Sequence, residues 1–466
     1  MDEPTEAQRE GFRPELGFWS VTGLIVGSII GSGIFFTPAL MLDYVGNAPL
    51  VMLAWVVGAV LSLCGALTFS ELAAAYPKAG GQYVFIRESM GKLWGFLFSW
   101  TGFTVVQSGT IAAIAIAFAN TLDYAVGHTL PGTESSLGFL TLPKWGVSFT
   151  AVAATWLLTY VNYRGVRHAS AVNNLAGVLK VGALLFVVAV AFALGRSAGN
   201  YADMGADLGG VLTAGGLSAF GLALSESLFA YDGWAQATFV APEVKDARRV
   251  LPRAITLGVL GVAAIYLLAT AAYFYVLPAS GIAPDTAMAQ DTARVAWGAG
   301  AAGLVTAGIL VSTFGATNSY VLSSPRIYYG VAQDREFPRA FGALSRHRTP
   351  TYGLVYQALW ASLLALTGTF AQLTLLVVAG LWLFYLVSAV GYFRLLRRDP
   401  AAFAGYRMPL SPIPAIVFLV SAVAIMLNFA FEDPRTSLFT VGLVGSGLVA
   451  FALMRRGQAG EPAKRA

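Results

Sequence analysis

Polar or ionisable residues interrupt long apolar segments at three places in this 466-residue chain. The first is "GSIIGSGIF", in a run that is otherwise apolar from Phe18 to Leu40. Glycine adopts non-helical dihedrals freely, so the triplet Gly31-Ser32-Gly33 predicts a helix break. Freed N–H groups, with the positive end of the helix that follows the break, suit a carboxylate. The alternative is close helix packing, because Gly27 and Gly31 also form a G-x-x-x-G pattern.

The second place is "SESLFAYDGWAQA" at 225–237, which contains Glu226 and the turn-favouring pair Asp232-Gly233. A charge near the centre of a bilayer costs about 2.5–3.5 kcal/mol, so it persists only where it is hydrated, paired or capping a broken end. The stretch therefore predicts a second helix break. For Glu226 we favour a hydrated vestibule over pairing in a gate.

The third place is Lys180, in "NNLAGVLKVGALLF". At 1.5 Å per residue it lies roughly 12–14 Å along its apolar run, too deep for its ammonium to reach the water easily. An ionisable residue at that depth indicates either a mechanistic role or a permanent charge that holds helices together.

The elements that must position these residues are apolar runs. Hydrophobic residues make up 57% of the chain and charged residues 11%, with a mean hydropathy of +0.67. Soluble domains carry roughly 25% charged residues, so the composition indicates a polytopic membrane protein. About 20 apolar residues cross a bilayer as helix. Runs of that kind occur at 18–40, 49–76, 93–120, 145–161, 171–195, 216–240, 254–277, 295–324, 352–368, 370–393, 410–430 and 436–454.

The basic residues support this count of twelve. With the N-terminus in the cytoplasm, the inner segments contain 24 of the 29 Lys and Arg residues and the outer segments contain four. This asymmetry is what the positive-inside rule predicts, with both termini cytoplasmic. The net charge of +5 follows from this orientation, so no nucleic-acid partner is needed to explain it.

The two predicted breaks fall in runs one and six, which are five spans apart. Interrupted spans in corresponding positions of two halves indicate a secondary-transporter binding site. The predicted fold is an all-α polytopic membrane protein with twelve transmembrane helices, a five-plus-five inverted repeat and broken helices 1 and 6. Its predicted parts are a cytoplasmic tail, the first repeat, the second repeat, helices 11–12 and a second tail, at 1–16, 17–195, 214–394, 408–455 and 456–466.

Four segments carry a resemblance to a known family. They are "GLIVGSIIGSGIFFTPA", "FSELAAAYPKAGGQYVFIRESMG", "LFAYDGWAQATFVAPEVKDARRVLPRAI" and "SSPRIYYGVAQDREFP". They resemble the amino acid–polyamine–organocation superfamily, in particular bacterial permeases akin to the L-type amino acid transporters. The similarity runs from about Phe18 to Tyr406.

The resemblance implies the five-plus-five fold with two peripheral helices. It implies that the substrate carboxylate binds the backbone of Ser32 and Gly33, with Gly31 allowing the close approach. It also implies that the α-amino group binds carbonyls of Ile29, Phe229 and Asp232. Phe229, beside the second break, is the candidate occluding gate.

Two departures from the family pattern matter. Heteromeric light chains carry a cysteine in the outer loop after span three, but 121–144 has none, so we expect no disulfide-linked heavy chain. Relatives often have Gly-Gly-Trp where this chain has Asp232-Gly233-Trp234. Asp232 either caps the break, which we favour, or contacts the substrate amine through its side chain.

The resemblance also bears on Lys180. Relatives often hold a lysine beside the unwound first span, where its ammonium bonds the loose carbonyls around Gly27 and Gly31 in place of a sodium ion. This implies sodium-independent transport. Proton coupling and exchange, in which a fixed charge links occupancy to helix movement, stay open.

Other polar residues have weaker claims. For Glu71 we expect a structural cap or ion pair. Helix packing is the default interpretation for the polar residues of spans three and eight, which are Gln107, Ser108, Thr110, Ser312, Thr313, Thr317, Asn318 and Ser319. His128, His168 and His347 are far apart in sequence and show no metal-ligand spacing, and no catalytic set appears. We therefore expect no metal, no cofactor and no enzyme activity.

The sequence thus predicts a secondary transporter of neutral L-amino acids in a bacterial cytoplasmic (inner) membrane. An amine or polyamine carrier of the same fold, with Asp232 and Glu226 as ligands, is the first alternative. A channel is a further alternative, which the paired breaks argue against, and a membrane enzyme is the least favoured.

Overall fold

The computed structural model describes residues 12–137, 140–199, 213–283, 286–432 and 434–459. Of the two predicted tails, residues 1–11 and 460–466 therefore lie outside the described residues. The described residues are helical apart from loops and one short β-hairpin.

The first half of the chain begins with a helix that is interrupted after Ile29. Its helices are α1 Phe18–Ile29, α2 Gly33–Val45, α3 Ala48–Ala75, α4 Gln82–Met90, α5 Lys92–Thr101, α6 Gln107–Ala125, α7 Trp145–Tyr163 and α8 Val166–Leu194. A π-helical turn, Gly102–Val106, joins α5 to α6. The predicted interruption of the first span is confirmed.

The second half begins with a helix that is interrupted after Ala230. Its helices are α9 Ala214–Ala230, α10 Gln236–Phe239, α11 Ala247–Val276, α12 Met288–Trp297, α13 Ala299–Ser323, α14 Pro325–Gln333, α15 Thr351–Thr367, α16 Phe370–Arg398, α17 Ile413–Glu432 and α18 Pro434–Ala459. Short 3-10 turns at Ala241–Glu243, Arg339–Gly342 and Pro400–Phe403 lie in the connections. The interruption predicted for the sixth span is also confirmed.

Within the described ranges, nine helical segments are long and apolar enough to cross a membrane. The all-α polytopic membrane fold is therefore confirmed. The remaining predicted spans correspond to α7, to the interrupted α9 and to the 17-residue α15, which are helical but fall outside those nine. The count of twelve crossings stays a prediction.

The interrupted helices lie at the centre of the packing. The second half of span one, α2, packs on α9, and α11 packs against both α1 and α3. A methyl group at Gly33 would come within 2.7 Å of the Ala230 Cβ atom, so the absence of a side chain allows this approach. Small residues thus bring spans one and six together.

Local features of the loops were only partly foreseen. Spans nine and ten, which the sequence places only two residues apart, are joined by a tight turn at Gly368 and Thr369, where Thr369 forms a capping box with Gln372. The expected ion pair of Glu71 is also present, with Arg407 Nη1 at 3.0 Å. Sequence reasoning missed α4 between spans two and three, and it missed the hairpin β1 Ser135–Leu137 and β2 Leu140–Leu142 between spans three and four.

Candidate functional site

The break in span one exposes backbone donors. Helix α1 ends at Ile29 and α2 begins at Gly33, with Ser32 as its N-cap residue and no side-chain cap. Gly31 N–H donates to Ile29 O at 2.8 Å. In the described part of the chain, the N–H groups of Ser32 and Gly33 have no hydrogen-bond acceptor. These are the open donors that the sequence predicted, at the positive end of α2.

The break in span six packs directly on the first. Helix α9 ends at Ala230 and α10 begins at Gln236. Between them Gly233 has φ +125°, and a Cβ atom there would lie 2.7 Å from the carbonyl carbon of Ser28 and 2.9 Å from the nitrogen of Ile29. Only glycine meets both requirements without displacing the backbone of α1. The Asp232-Gly233 turn thus fixes the two breaks against each other.

A cavity lies between the two breaks. It contains all six residues to which the sequence analysis assigned substrate contacts: Ile29, Gly31, Ser32, Gly33, Phe229 and Asp232. The other lining residues are Ser28, Thr110, Ile114, Ala230, Tyr320, Val377 and Leu381. Residues with unbonded amide donors and the last residues of two half-helices therefore line one cavity. That arrangement offers complementary partners to a molecule with one anionic and one cationic end.

Lys180, on α8, forms hydrogen bonds to the first break. Its Nζ atom donates to the carbonyl oxygens of Gly27 at 3.1 Å, Ile30 at 2.5 Å and Ser312 at 3.2 Å, and the residue is fully buried. The predicted contact with the loose carbonyls of span one is present. The Ser312 hydroxyl also donates to this segment, with its Oγ atom 3.1 Å from each of the Ile30 and Gly31 carbonyl oxygens. Lys180 thus links α8, the unwound segment of span one and α13 through a single ammonium.

Tyr266 on α11 joins the two breaks, and the sequence analysis missed it. Its hydroxyl lies 2.9 Å from Ile29 O and 3.2 Å from Ala230 O, which are the last carbonyls of α1 and α9. A phenol has one hydrogen to donate, so the two carbonyls share it. Buried tyrosine hydroxyls usually find a hydrogen-bond partner, and a tyrosine in an apolar span is the signal that could have indicated a role for Tyr266.

Asp232 is not the N-cap residue of the helix after the break, and a capping role for its side chain within the break stays a prediction. The N-cap residue of α10 is Ala235, which makes no side-chain cap. Instead the carboxylate accepts hydrogen bonds from the hydroxyls of Tyr385 at 2.5 Å and Tyr320 at 3.3 Å. Three turn residues separate Asp232 from α10, and the cavity lies beside it. Its half-buried side chain is therefore part of the cavity wall.

The remaining polar residues of the predicted spans bond partly to other helices and partly to their own, where Thr110, Thr313, Thr317 and Ser319 donate to carbonyls of the preceding turn. Gln107 accepts from Gln236 at 3.2 Å and from Ser324 at 2.8 Å, while Asn318 bonds Asn162 and Asn173. Packing was the default interpretation for these residues, and of the three in span three only Thr110 lines the cavity. Glu226 is half-buried, and no ion pair involves it within the described ranges. This fits the favoured vestibule position better than a paired gate.

Contacts close the end of the bundle where the predicted inner loops lie. Arg326 Nε donates to Glu243 Oε1 at 2.7 Å with both side chains buried, and Glu243 O also accepts from the N–H groups of Glu15 and Leu16. Nearby, the Tyr83 hydroxyl donates to Asp334 at 2.7 Å. Burial and this carboxylate raise the pKa of Tyr83, so it stays a neutral donor at physiological pH. The first and second halves of the chain are thus joined below the cavity.

The sequence was compared with those of known proteins. The profile of the amino acid permease family matches residues 16–448. The chain is 28% identical over 460 residues to the serine/threonine exchanger SteT of Bacillus subtilis (strain 168), which covers 96% of this chain and 98% of that protein. It is 29% identical over 453 residues to b(0,+)-type amino acid transporter 1 of Mus musculus, covering 96% and 89%. It is 27% identical over 459 residues to Asc-type amino acid transporter 1 of Homo sapiens, covering 97% and 84%.

The family match extends through both broken helices, Lys180, Tyr266 and the paired tyrosines on Asp232. A multi-pass helical membrane protein with two opposed breaks around one cavity is consistent with it. The chain belongs to the amino acid permease family, within the amino acid–polyamine–organocation superfamily that its motifs resemble.

Proposed function

We propose that this protein is a secondary active transporter of neutral L-amino acids that works by alternating access. The supporting observation is that one cavity is lined both by Ser32 and Gly33, whose N–H groups are unbonded, and by the last residues of α1 and α9. A zwitterion satisfies both sets at once. Residues that line the cavity beyond the breaks, such as Ile114, Val377 and Leu381, are apolar and suit an uncharged side chain.

In this proposal the substrate carboxylate binds the N–H groups of Ser32 and Gly33, and Gly31 leaves room for it. The α-ammonium binds carbonyls of Ile29, Phe229 and Asp232. Phe229 is the gate, because it lines the cavity, is half-buried and is the penultimate residue of α9 before the break. Movement of its ring changes access to the cavity without breaking a hydrogen bond.

Transport is proposed to be independent of sodium. The Lys180 ammonium already donates hydrogen bonds to the carbonyl oxygens of Gly27 and Ile30, for which a bound cation is the alternative partner. Proton coupling through Lys180 and obligatory exchange are both consistent with these contacts. The similarity to a serine/threonine exchanger favours exchange.

The proposed location is a bacterial inner membrane, with both termini in the cytoplasm. This rests on the distribution of basic residues and on the similarity to a Bacillus subtilis protein. The single cysteine, Cys64, is a free thiol inside α3, which fits no disulfide-linked heavy chain. The proposal includes no enzymatic activity.

The test is a thermal-shift panel on the purified protein with neutral L-amino acids from alanine to leucine, in sodium and in choline buffers. We expect stabilisation by at least one L-amino acid, equal in both buffers. Gly31→Leu, which fills the proposed carboxylate site, should abolish that stabilisation. A shift that requires sodium would contradict sodium independence, and the absence of a shift with every amino acid would contradict the substrate class.

A second candidate is an amine or polyamine carrier, and Asp232 is the observation that favours it. Its carboxylate lines the cavity, and in the described part of the chain it has tyrosine hydroxyl partners but no cationic one. If decarboxylated analogues compete better than the parent amino acids, and Asp232→Asn removes that preference, the amine carrier is the better assignment.

A further inference from the structure

A groove of about 450 Å³ lies at the end of span ten, away from the substrate cavity. It is lined by Val390, Phe393, Arg394, Arg397 and Arg398. Successive positions in this set are three, one, three and one residues apart. This spacing places them in a single stripe along one face of α16. The apolar pair lies towards the middle of the span, and the arginines lie at its end, where α16 stops at Arg398.

The three arginines lack the carboxylate partners that other basic residues of this end possess. Lys92 pairs with Glu336 at 3.1 Å, and Arg407 pairs with Glu71 at 3.0 Å. In contrast, within the described ranges the one polar contact of Arg394 is to Met90 Sδ at 3.8 Å, and Arg397 and Arg398 form no ion pair or hydrogen bond.

The neighbouring carboxylate does not compensate for them. Asp399 follows Arg398 directly, but its oxygens accept from the Tyr76 hydroxyl at 3.2 Å and from Ala402 N–H at 3.4 Å. Helix α18 packs on α16, and at its end Arg455 lies over the ring of Phe451. The groove is therefore strongly cationic, at the level where a bilayer presents its headgroups.

We propose that this groove binds an anionic phospholipid, with the phosphate on Arg394, Arg397 and Arg398 and an acyl chain along Val390 and Phe393. Charge alone would fit any soluble anion. The apolar residues one turn inward on the same stripe fit an amphiphile, because Val390 is 41% exposed and Phe393 is half-buried at membrane depth. Basic pockets beside membrane helices recognise anionic headgroups in this way.

The test titrates the full-length protein in neutral detergent with dioleoylphosphatidylglycerol and, separately, with dioleoylphosphatidylcholine, counting bound lipid by native mass spectrometry. We expect a clear preference for phosphatidylglycerol. The triple variant Arg394→Gln, Arg397→Gln, Arg398→Gln should weaken that binding about a hundredfold, since each basic residue near a headgroup contributes several-fold in affinity.

A matched control removes three other exposed arginines: Arg248→Gln, Arg249→Gln, Arg253→Gln at the start of α11. Lipid binding by this variant should stay within about twofold of the wild type. Equal loss in the two triple variants would mean a diffuse surface field and would overturn the proposal. Unfolding midpoints of both variants without lipid establish that each is folded.

Two further arms separate a lipid from a soluble anion. Phe393→Ala should weaken binding of the dioleoyl lipid, because it removes the apolar surface for the acyl chain. Inorganic phosphate and glycerol 3-phosphate should fail to displace the lipid at equal concentration. Displacement by either anion, or no effect of Phe393→Ala, would assign the groove to a soluble anion and overturn the lipid.

Discussion

The two helix breaks look equivalent in sequence, since each has a glycine beside a polar residue, but the protein satisfies them in opposite ways. In span one, donors from three other helices approach the loose carbonyls: the Lys180 ammonium, the Ser312 hydroxyl and the Tyr266 hydroxyl. In span six the polar group is an acceptor: the Asp232 carboxylate accepts hydrogen bonds from the hydroxyls of Tyr320 and Tyr385. One break is held by a cation and the other contains an anion.

The backbone geometry differs in the same way. Gly31 has room, since a Cβ atom there would meet Ala316 Cβ only at 3.7 Å, an ordinary contact. Gly233 has none, because it has a positive φ and lies against Ser28 and Ile29. The comparison indicates that the span-six break is a fixed steric element. The span-one break is held by polar contacts and leaves its amide donors open to a ligand.

The largest effect is expected from Gly233→Ala. The change forces a side chain into a left-handed conformation and into the backbone of α1, at a cost of at least about 3 kcal/mol. We expect loss of folded protein, measured as monodisperse yield and thermal midpoint. Gly177→Ala on α8, where a methyl group meets nothing within 4 Å, is the control and should behave as the wild type. A normal midpoint for Gly233→Ala would show that the span-six break is not rigid.

Next in size is Lys180→Ala. It removes three hydrogen bonds to carbonyls in a buried site, where each lost bond costs about 1–3 kcal/mol, and it removes the charge that holds span one. Amino acid uptake into proteoliposomes should be abolished or lose its coupling, while the exposed Lys245→Ala keeps normal uptake.

Measurement of Lys180→Ala with and without a proton gradient sharpens the comparison. If exchange persists but no longer responds to the gradient, Lys180 couples protons. If exchange also stops, its fixed charge links substrate occupancy to helix movement. Wild-type kinetics in both assays would remove Lys180 from the mechanism.

At Gly31, side-chain size should grade the effect. Gly31→Leu places a large side chain at the cavity and should abolish substrate binding, measured by isothermal titration. Gly31→Ala has space for its methyl group, so the protein should keep its thermal midpoint while its affinity falls about tenfold. If Gly31→Ala unfolded the protein as Gly233→Ala is expected to, the proposed difference between the two breaks would be wrong.

The smallest expected effect is that of Tyr266→Phe, which removes only the hydroxyl shared by the two half-helix ends. A lost buried hydrogen bond of about 1–3 kcal/mol should raise KM about tenfold and leave kcat less changed. Tyr273→Phe is a matched control on the same helix, because its hydroxyl is buried and lacks a hydrogen-bond partner in the described part of the chain. Equal effects of the two changes would indicate packing alone.

Much of the fold and part of the site could be predicted from the sequence. Long apolar runs and the distribution of basic residues indicated the membrane class, because hydropathy is a local property of about 20 consecutive residues. The break at Gly31-Ser32-Gly33 followed from the backbone freedom of glycine, and the position of Lys180 followed from its isolation in an apolar run. Each of these inferences needed only neighbours along the chain.

The sequence by itself therefore determined the membrane class, where two helices break and which buried ammonium must find acceptors. The tertiary structure decided which partners meet. Tyr266 lies 237 residues from Ile29 in the chain, and Tyr385 lies 153 residues from Asp232. Such contacts depend on the rotation and depth of whole helices relative to one another, which local preference does not fix. For the same reason the sequence did not indicate that Asp232 accepts hydrogen bonds from two distant tyrosines.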